Sequence, residues 1–312
     1  MFTGIQLMKS RDLRLNDQTS GPSDLSKSLL RQLNNCYFYF NPLRWADPFR
    51  RMSIRENTRI MRDFMLPRIL QRLNPEFLAN KTNVKSVIDL AIKEYQKEIA
   101  TSKIDPRKPG EGFINSVIAQ LKLFMFAGHD STATSICWLL HCLQKNPVKL
   151  KRVRAEHESV FGADLTTITS QLKSSPHLLN LLPYTLASIK ESLRLFPVVG
   201  GTRDGSPNFN FKDKKSNMIY PTEGFLVWDG IRGAQRAEHI WPRAGEFIPE
   251  RWLVTDLNDP LHPERNAWRP FLLGPRNCIG QELALVEMKL VVLLLVRELE
   301  IDCAWEQWDK SK

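Results

Sequence analysis

The sequence predicts a mainly α fold with small β-sheets. Three observations carry the prediction. Long segments repeat apolar residues at helical spacing, above all Glu111 to about Lys145 and Gly280 to Glu298. Glycine, aromatic and β-branched residues with turn chemistry concentrate between Gly200 and about Ile231, which fits short strands. At 312 residues and 42% apolar composition, the chain is long enough for one large core or two modest ones. No internal repeat or low-complexity tract stands out, which argues against a solenoid or a disordered scaffold.

Taken from the N-terminus, Met1 to Arg14 shows neither a signal-peptide pattern nor an anchor helix. Residues 1–110 hold 20 Lys+Arg against 11 Asp+Glu, and the remainder 24 against 23, so nearly all of the +10 net charge lies in front. That excess fits solvated basic helix faces, or a surface for a membrane or an acidic protein. No stacking pattern or reader motif accompanies it, so nucleic acid is not an expected partner. Five cysteines without regular spacing argue against a disulfide framework and for a reducing compartment.

Residues 41–48 form a proline-punctuated loop, and 50–100 are mostly helical with interruptions near Asn74-Pro75 and Asn80. Residues 101–110, with two prolines and Gly110, are a linker or a surface loop. The helix from Glu111 is long enough to span a bilayer, but Gly128-His129-Asp130-Ser131-Thr132 sits at its centre. A charge there costs about 2.5–3.5 kcal/mol on the insertion scale, so the helix belongs in a large soluble core. Asn146-Pro147 starts the next helix, and Pro183 opens another that Pro197 ends. Leu299, Ile301 and Cys303 alternate with acids, a strand pattern that closes the chain. Residues 1–110 are thus expected to be a basic helical segment and 111–312 the core that carries the chemistry.

The sharpest motif is Phe271-x-x-Gly274-x-Arg276-x-Cys278-x-Gly280, immediately before an apolar helix. A thiolate is a strong electron donor, and a thiolate-ligated haem iron favours O–O bond cleavage. Backbone N–H groups and the start of the following helix favour the ionised sulfur. Gly274 and Gly280 permit a tight loop and close approach to a flat cofactor. Arg276 has the planar fork that suits a haem carboxylate. The competing reading is a buried free cysteine in a glycine-rich turn. Cys137 and His141, one helical turn apart, have no third or fourth metal ligand following them.

These residues resemble the cysteine loop of the cytochrome P-450 superfamily, the type example of thiolate-ligated haem. The resemblance implies the cytochrome P-450 fold, with Cys278 as axial iron ligand and Phe271 packed near the sulfur. Glu191-x-x-Arg194 resembles the superfamily's buried acid–base pair, although Glu56-x-x-Arg59 has the same spacing. Phe247 to Trp252 resembles the partner segment, whose Arg251 completes a three-membered ion network. Ala127 to Thr132 resembles the oxygen-binding helix. There Gly128 would relax the helical hydrogen bonding, and Asp130 with Ser131 and Thr132 would relay protons to bound oxygen. Ser131 stands where the family usually has Thr. Arg203 is a second candidate for a haem carboxylate, and equally a plain turn arginine.

The implied function is a haem-thiolate monooxygenase. It would insert one atom of dioxygen into a lipophilic small molecule, a fatty acid or secondary metabolite, with electrons from an NADPH-linked reductase. The wording of both motifs looks like membrane-bound fungal members, which implies the cytosolic face of the endoplasmic reticulum membrane for a full-length form. The resemblance runs from about Asn41 onward and covers the later part of the family fold. The family's early Trp-x-x-x-Arg haem contact is absent, since Trp45 is followed four residues later by Phe49. The expectation is therefore one incomplete domain, truncated at the N-terminus, with 111–312 as its haem-binding core. Three rivals stand beside it: a catalytically inactive remnant, a haem-thiolate isomerase, and a basic membrane- or nucleic-acid-binding protein. The isomerase would usually lack the pair that Asp130 and Ser131 form.

Overall fold

The computed structural model describes residues 5–8, 27–28, 31–32, 48–73, 92, 110–213 and 215–303. The expected interruptions near residues 74–80 and nearly all of the loops 41–48 and 101–110 lie outside these. Contacts divide the chain into two compact units, residues 14–129 and residues 1–13 with 130–312. The division falls inside the long helix, whereas the charge composition changes near residue 110.

In the unit of residues 14–129, helix α1 (Arg50–Leu73) buries Met61, Met65, Ile69 and Leu73. Their spacing of four places them on one face. They cluster with Ile92 and with Ile114, Val117 and Ile118, from the start of helix α2 (Glu111–Gln144). Arg62 ties the two helices at their polar edge, donating to Glu111 at 2.9 Å and to Asn115 at 2.6 Å. Helix α2 runs unbroken through Gly128 and Thr132.

The larger unit is built on helices α3 (Pro147–Phe161), α5 (Pro183–Leu195) and α7 (Gln281–Glu298), which pack on one another. Leu139, Leu143, Val153, Ile189, Leu193, Val292 and Val296 form its core. Pro147 and Pro183 each stand in the first turn of their helices, where a missing N–H costs nothing. Between α3 and α5 the chain makes short 3-10 turns around α4 (Ile168–Ser174), detail that apolar spacing does not reveal.

Neighbouring helices satisfy the exposed backbone ends. Leu182 offers α5 no side-chain cap, and Glu156 of α3 supplies one instead. Its carboxylate accepts from the Tyr184 and Thr185 amides at 2.6 and 2.8 Å, placing an anion at a helix N-terminus. At the C-terminus of α7, Arg154 donates to the Val296 and Leu299 carbonyls.

Among the described residues the strands form three two-stranded antiparallel sheets. Strand β2 (Thr202–Asp204) pairs with β5 (Leu226–Trp228), and β3 (Asn210–Lys212) with β4 (Ile219–Pro221), all within the predicted 200–231 stretch. A short helix α6 (Ile231–Ala234) follows. The closing strand β6 (Glu300–Cys303) pairs with β1 (Ile5–Met8), a partner that the sequence did not indicate. The architecture is mainly helical with small sheets, as predicted.

Candidate functional site

The cysteine loop forms because two backbone positions turn the wrong way for ordinary residues. Gly274 has φ +78° and Leu272 φ +61°. The first suits glycine; the second holds a bulky side chain in the sparsely allowed left-handed region, which persists only where neighbours hold it. A 3-10 turn over Gly274–Arg276 then leads to Cys278, whose N–H donates to the Phe271 carbonyl at 2.8 Å. Gly280 follows as the N-cap of α7 with φ −88°, an angle open to any residue. A Cβ at Gly280 would sit 3.8 Å from the Cys278 sulfur, so glycine leaves that side of the sulfur bare.

Cys278 is exposed, which removes the buried-thiol alternative. Burial pushes the Cys142 thiol up to about 12 and raises that of Cys137. Of the three free cysteines described, Cys278 alone is presented at the surface. Large exposed apolar side chains flank it: Leu273, Ile279 (88% exposed) and Leu283. A lone thiol donor in an apolar surround, at a helix start, fits the axial ligand of a flat, largely apolar macrocycle such as haem.

The predicted ion network is assembled. Glu191, Arg194 and Arg251 are each 0% exposed. Arg194 donates to both Glu191 oxygens, at 3.0 Å from Nε and 2.8 Å from Nη2. Its other contacts are the carbonyls of Gln235, Ala244 and Glu246. Arg251 Nε donates to Glu191 Oε1 at 3.0 Å and its Nη2 to the Pro242 carbonyl. The look-alike pair Glu56–Arg59 is also formed, at 2.9 Å, but its side chains are 49% and 69% exposed. Spacing alone did not separate the two pairs, and burial does.

Sequence reasoning missed two partners of Glu191, the Ile248 amide and the Trp252 indole, each donating at 3.0 Å. The signal was available. A buried carboxylate flanked by two arginines still has lone pairs to satisfy, and Trp252 follows Arg251 directly.

The remaining predicted residues are more dispersed. Along α2, Asp130 is exposed, Ser131 half-buried with its carbonyl accepting from the Ser135 hydroxyl, and Thr132 buried. Gly128 belongs to the unit of residues 14–129, and α2 passes through it without opening. The groove expected from relaxed hydrogen bonding there is not formed by a helix break. Arg276 and Arg203 are exposed, and Arg203 donates to the Thr202 carbonyl, the contact of a plain turn arginine. Both stay outside the buried network.

Comparison with known proteins agrees with this geometry. The cytochrome P450 family model matches residues 23–311. The chain is 40% identical over 290 residues to the cytochrome P450 monooxygenase polC of Polytolypa hystricis, covering 92% of this chain and 51% of that protein. It is 32% identical over 255 residues to the cytochrome P450 monooxygenase acrF of Aspergillus aculeatus, covering 77% and 51%. The taurochenodeoxycholic 6 alpha-hydroxylase of Sus scrofa is 38% identical over 186 residues, 59% of this chain and 34% of that one. A cytochrome P450 crystal structure superposes with a TM-score of 0.62 at 22% identity, covering 88% of this chain and 54% of the other, a likeness of fold. The chain spans about half the length of the first two relatives. With the family model matched across nearly its whole length, the chain belongs to the cytochrome P450 family.

Proposed function

We propose that the chain carries the haem-binding part of a monooxygenase that places one oxygen atom from dioxygen in a lipophilic small molecule. The observation that carries this reading is Cys278: a free, exposed thiol on a backbone-pinned loop at the start of α7. Haem bound there would supply the activation of dioxygen, with electrons from an NADPH-linked reductase. Cys278 Sγ would hold the iron; the Phe271 carbonyl accepts the Cys278 N–H, and Gly274 and Gly280 keep the loop tight and the sulfur accessible. Arg276, and in this reading Arg203, offer exposed guanidinium groups to the haem carboxylates. Glu191, Arg194 and Arg251 keep the loop's supports rigid.

Asp130, Ser131 and Thr132 move protons. Exposure falls along these three residues, from solvent-facing Asp130 through Ser131 to buried Thr132. That order suits proton uptake at the Asp130 carboxylate and delivery at the Ser131 hydroxyl. Gly128, just before them, allows close approach to the helix, since no atom of another segment lies within 4 Å of where its side chain would begin.

The names of the relatives support the choice of substrate class. Two fungal ones are named cytochrome P450 monooxygenases, and the pig one is named a taurochenodeoxycholic 6 alpha-hydroxylase. A fungal fatty acid or secondary metabolite is the corresponding substrate here. Membrane association at the endoplasmic reticulum belongs to the same reading. Among the described residues no helix is long and apolar enough to cross a membrane.

The test is the absorbance spectrum of the reduced, carbon-monoxide-bound protein after haem reconstitution. Cys278 as ligand gives the red-shifted Soret band of thiolate ligation, and Cys278→Ala abolishes it. A red-shifted band that survives in Cys278→Ala would refute the assignment.

A further inference from the structure

A row of aromatic rings runs past the buried Glu191 carboxylate to the cysteine loop. Trp241, Trp252, Trp268 and Phe271 follow one another with centroids 5.8, 5.7 and 5.8 Å apart, in tilted or edge-on geometry. That is the favoured arrangement of ring quadrupoles. The two central indoles are held by their N–H groups. Trp252 Nε1 donates to Glu191 Oε2 at 3.0 Å, and Trp268 Nε1 donates to the Lys190 carbonyl at 3.1 Å. Two consecutive residues of α5 therefore hold indoles from two separate segments of chain. The Lys190 ammonium also lies 5.7 Å from the Trp252 ring centre and 5.9 Å from that of Trp268.

At the far end of the row, Phe271 joins ring contact to backbone control. Its ring meets Trp268, and its carbonyl accepts the Cys278 N–H. The next residue is Leu272, in the left-handed region at φ +61°. A loop in such a conformation holds only where its surroundings over-determine it. Within the loop, the Phe271–Cys278 bond and the 3-10 turn supply part of that restraint. The aromatic row supplies a restraint anchored outside the loop, on α5, whose inner face is fully buried.

We infer that Trp252 and Trp268 are positioning residues for the Cys278 sulfur, transmitting the rigidity of α5 and the Glu191 network to the cysteine loop. What the sulfur does rests on the haem-thiolate reading; the ordering of the loop does not. The inference explains why Glu191 carries an indole donor beyond its two arginines, and why Trp268 points its N–H back at α5.

The test uses the 312-residue chain with Trp268→Leu, Trp268→Phe and Trp252→Phe. Native-state amide exchange is read for residues 271–280, with α4 (Ile168–Ser174) as an internal control. Trp268→Leu removes two ring pairs and is expected to speed exchange in 271–280 by about tenfold or more. Trp268→Phe keeps a ring against Trp252 and Phe271 but loses the N–H to the Lys190 carbonyl, so exchange in 271–280 speeds by only about threefold, well short of Trp268→Leu. Trp252→Phe, which removes the N–H to Glu191 and keeps one ring between Trp241 and Trp268, speeds exchange in 271–280 by a few fold and leaves α4 alone. In haem-loaded protein, Trp268→Leu moves the reduced carbon-monoxide Soret band from the thiolate toward the neutral-thiol position, and Trp268→Phe does not. The inference is overturned if Trp268→Leu leaves 271–280 at the parent rate, if α4 accelerates equally, or if Trp268→Phe is as damaged as Trp268→Leu. Failure of the parent chain to show thiolate ligation would count against the proposed function, while the exchange pattern still decides on the relay.

Discussion

Glu191→Gln removes one negative charge from a site where two guanidinium groups are buried with it. The carboxylate accepts five hydrogen bonds, two from Arg194 and one each from Arg251, Trp252 and the Ile248 amide. In the better amide orientation the glutamine oxygen replaces Oε1 and keeps three donors, and its NH2 faces Arg194 Nε and Trp252 Nε1. Two donors are then orphaned, one of them charged, at about 1–3 kcal/mol each. The uncompensated buried charge brings the total to about 3–5 kcal/mol, the range for breaking a buried ion pair. Against a stability of about 5–15 kcal/mol, that is a large fraction. The contacts also rank the arginines. Arg194 makes five hydrogen bonds, whereas Arg251 makes two and leaves Nη1 without a partner. Arg194→Met should therefore cost nearly as much as Glu191→Gln, and Arg251→Met clearly less. Urea titration followed by tryptophan fluorescence measures all three, since Trp241, Trp252 and Trp268 lie in the same unit. A loss below about 1 kcal/mol for Glu191→Gln, or an Arg251→Met loss equal to that of Arg194→Met, would refute the reasoning.

Three further outcomes are expected. Burial pushes the imidazole of His157, followed by the nearby Arg297 charge, from 6.5 down to about 4, while its Nε2 contacts the Thr185 hydroxyl at 2.8 Å. The unfolded chain binds the extra proton first, so this contribution is complete above pH 6.5 and lost as pH falls toward 4. The swing is on the order of 3 kcal/mol, and urea midpoints measured across that window should flatten in His157→Gln. Gly274→Ala places a Cβ at φ +78° with open space around it, so its cost is backbone strain alone, about 1–2 kcal/mol by thermal or urea unfolding; Gly280→Ala, at φ −88°, should cost much less. Finally, an alkylating reagent followed by peptide mapping should modify Cys278 first among the three described thiols, and Cys142, buried with its thiol pushed up to about 12, only when the unit unfolds.

Much of the fold was legible in the sequence because helix boundaries have local chemical causes. Pro147, Pro183 and Pro197 mark their elements, and the Gly200–Ile231 stretch contains the four short strands of the β2–β5 and β3–β4 sheets. The α4 region and the partner of β6 were not legible. The 3-10 turns around Ile168–Ser174 have no apolar period, and strand pairing between residues 5–8 and 300–303 joins positions that nothing local connects. The site divided in the same way. The cysteine loop was readable because a tight turn before a helix demands glycine and the chemistry demands sulfur. The strained Leu272 was not, since its backbone angle is imposed by neighbours.

By itself, the sequence determined which atoms are available: a thiol at Cys278, an acid and two hydroxyls at Asp130–Thr132, and Glu-x-x-Arg spacing at two places. Only the tertiary structure decided what each spacing means. Glu56–Arg59 and Glu191–Arg194 make the same three-residue ion pair, but one lies in water, where it contributes about 0.2–1 kcal/mol, and the other at zero exposure with five donors on one carboxylate. The reason is that burial, and with it the strength of every charge, is set by segments distant in the chain: Ile248, Arg251 and Trp252 closing over a helix some sixty residues earlier.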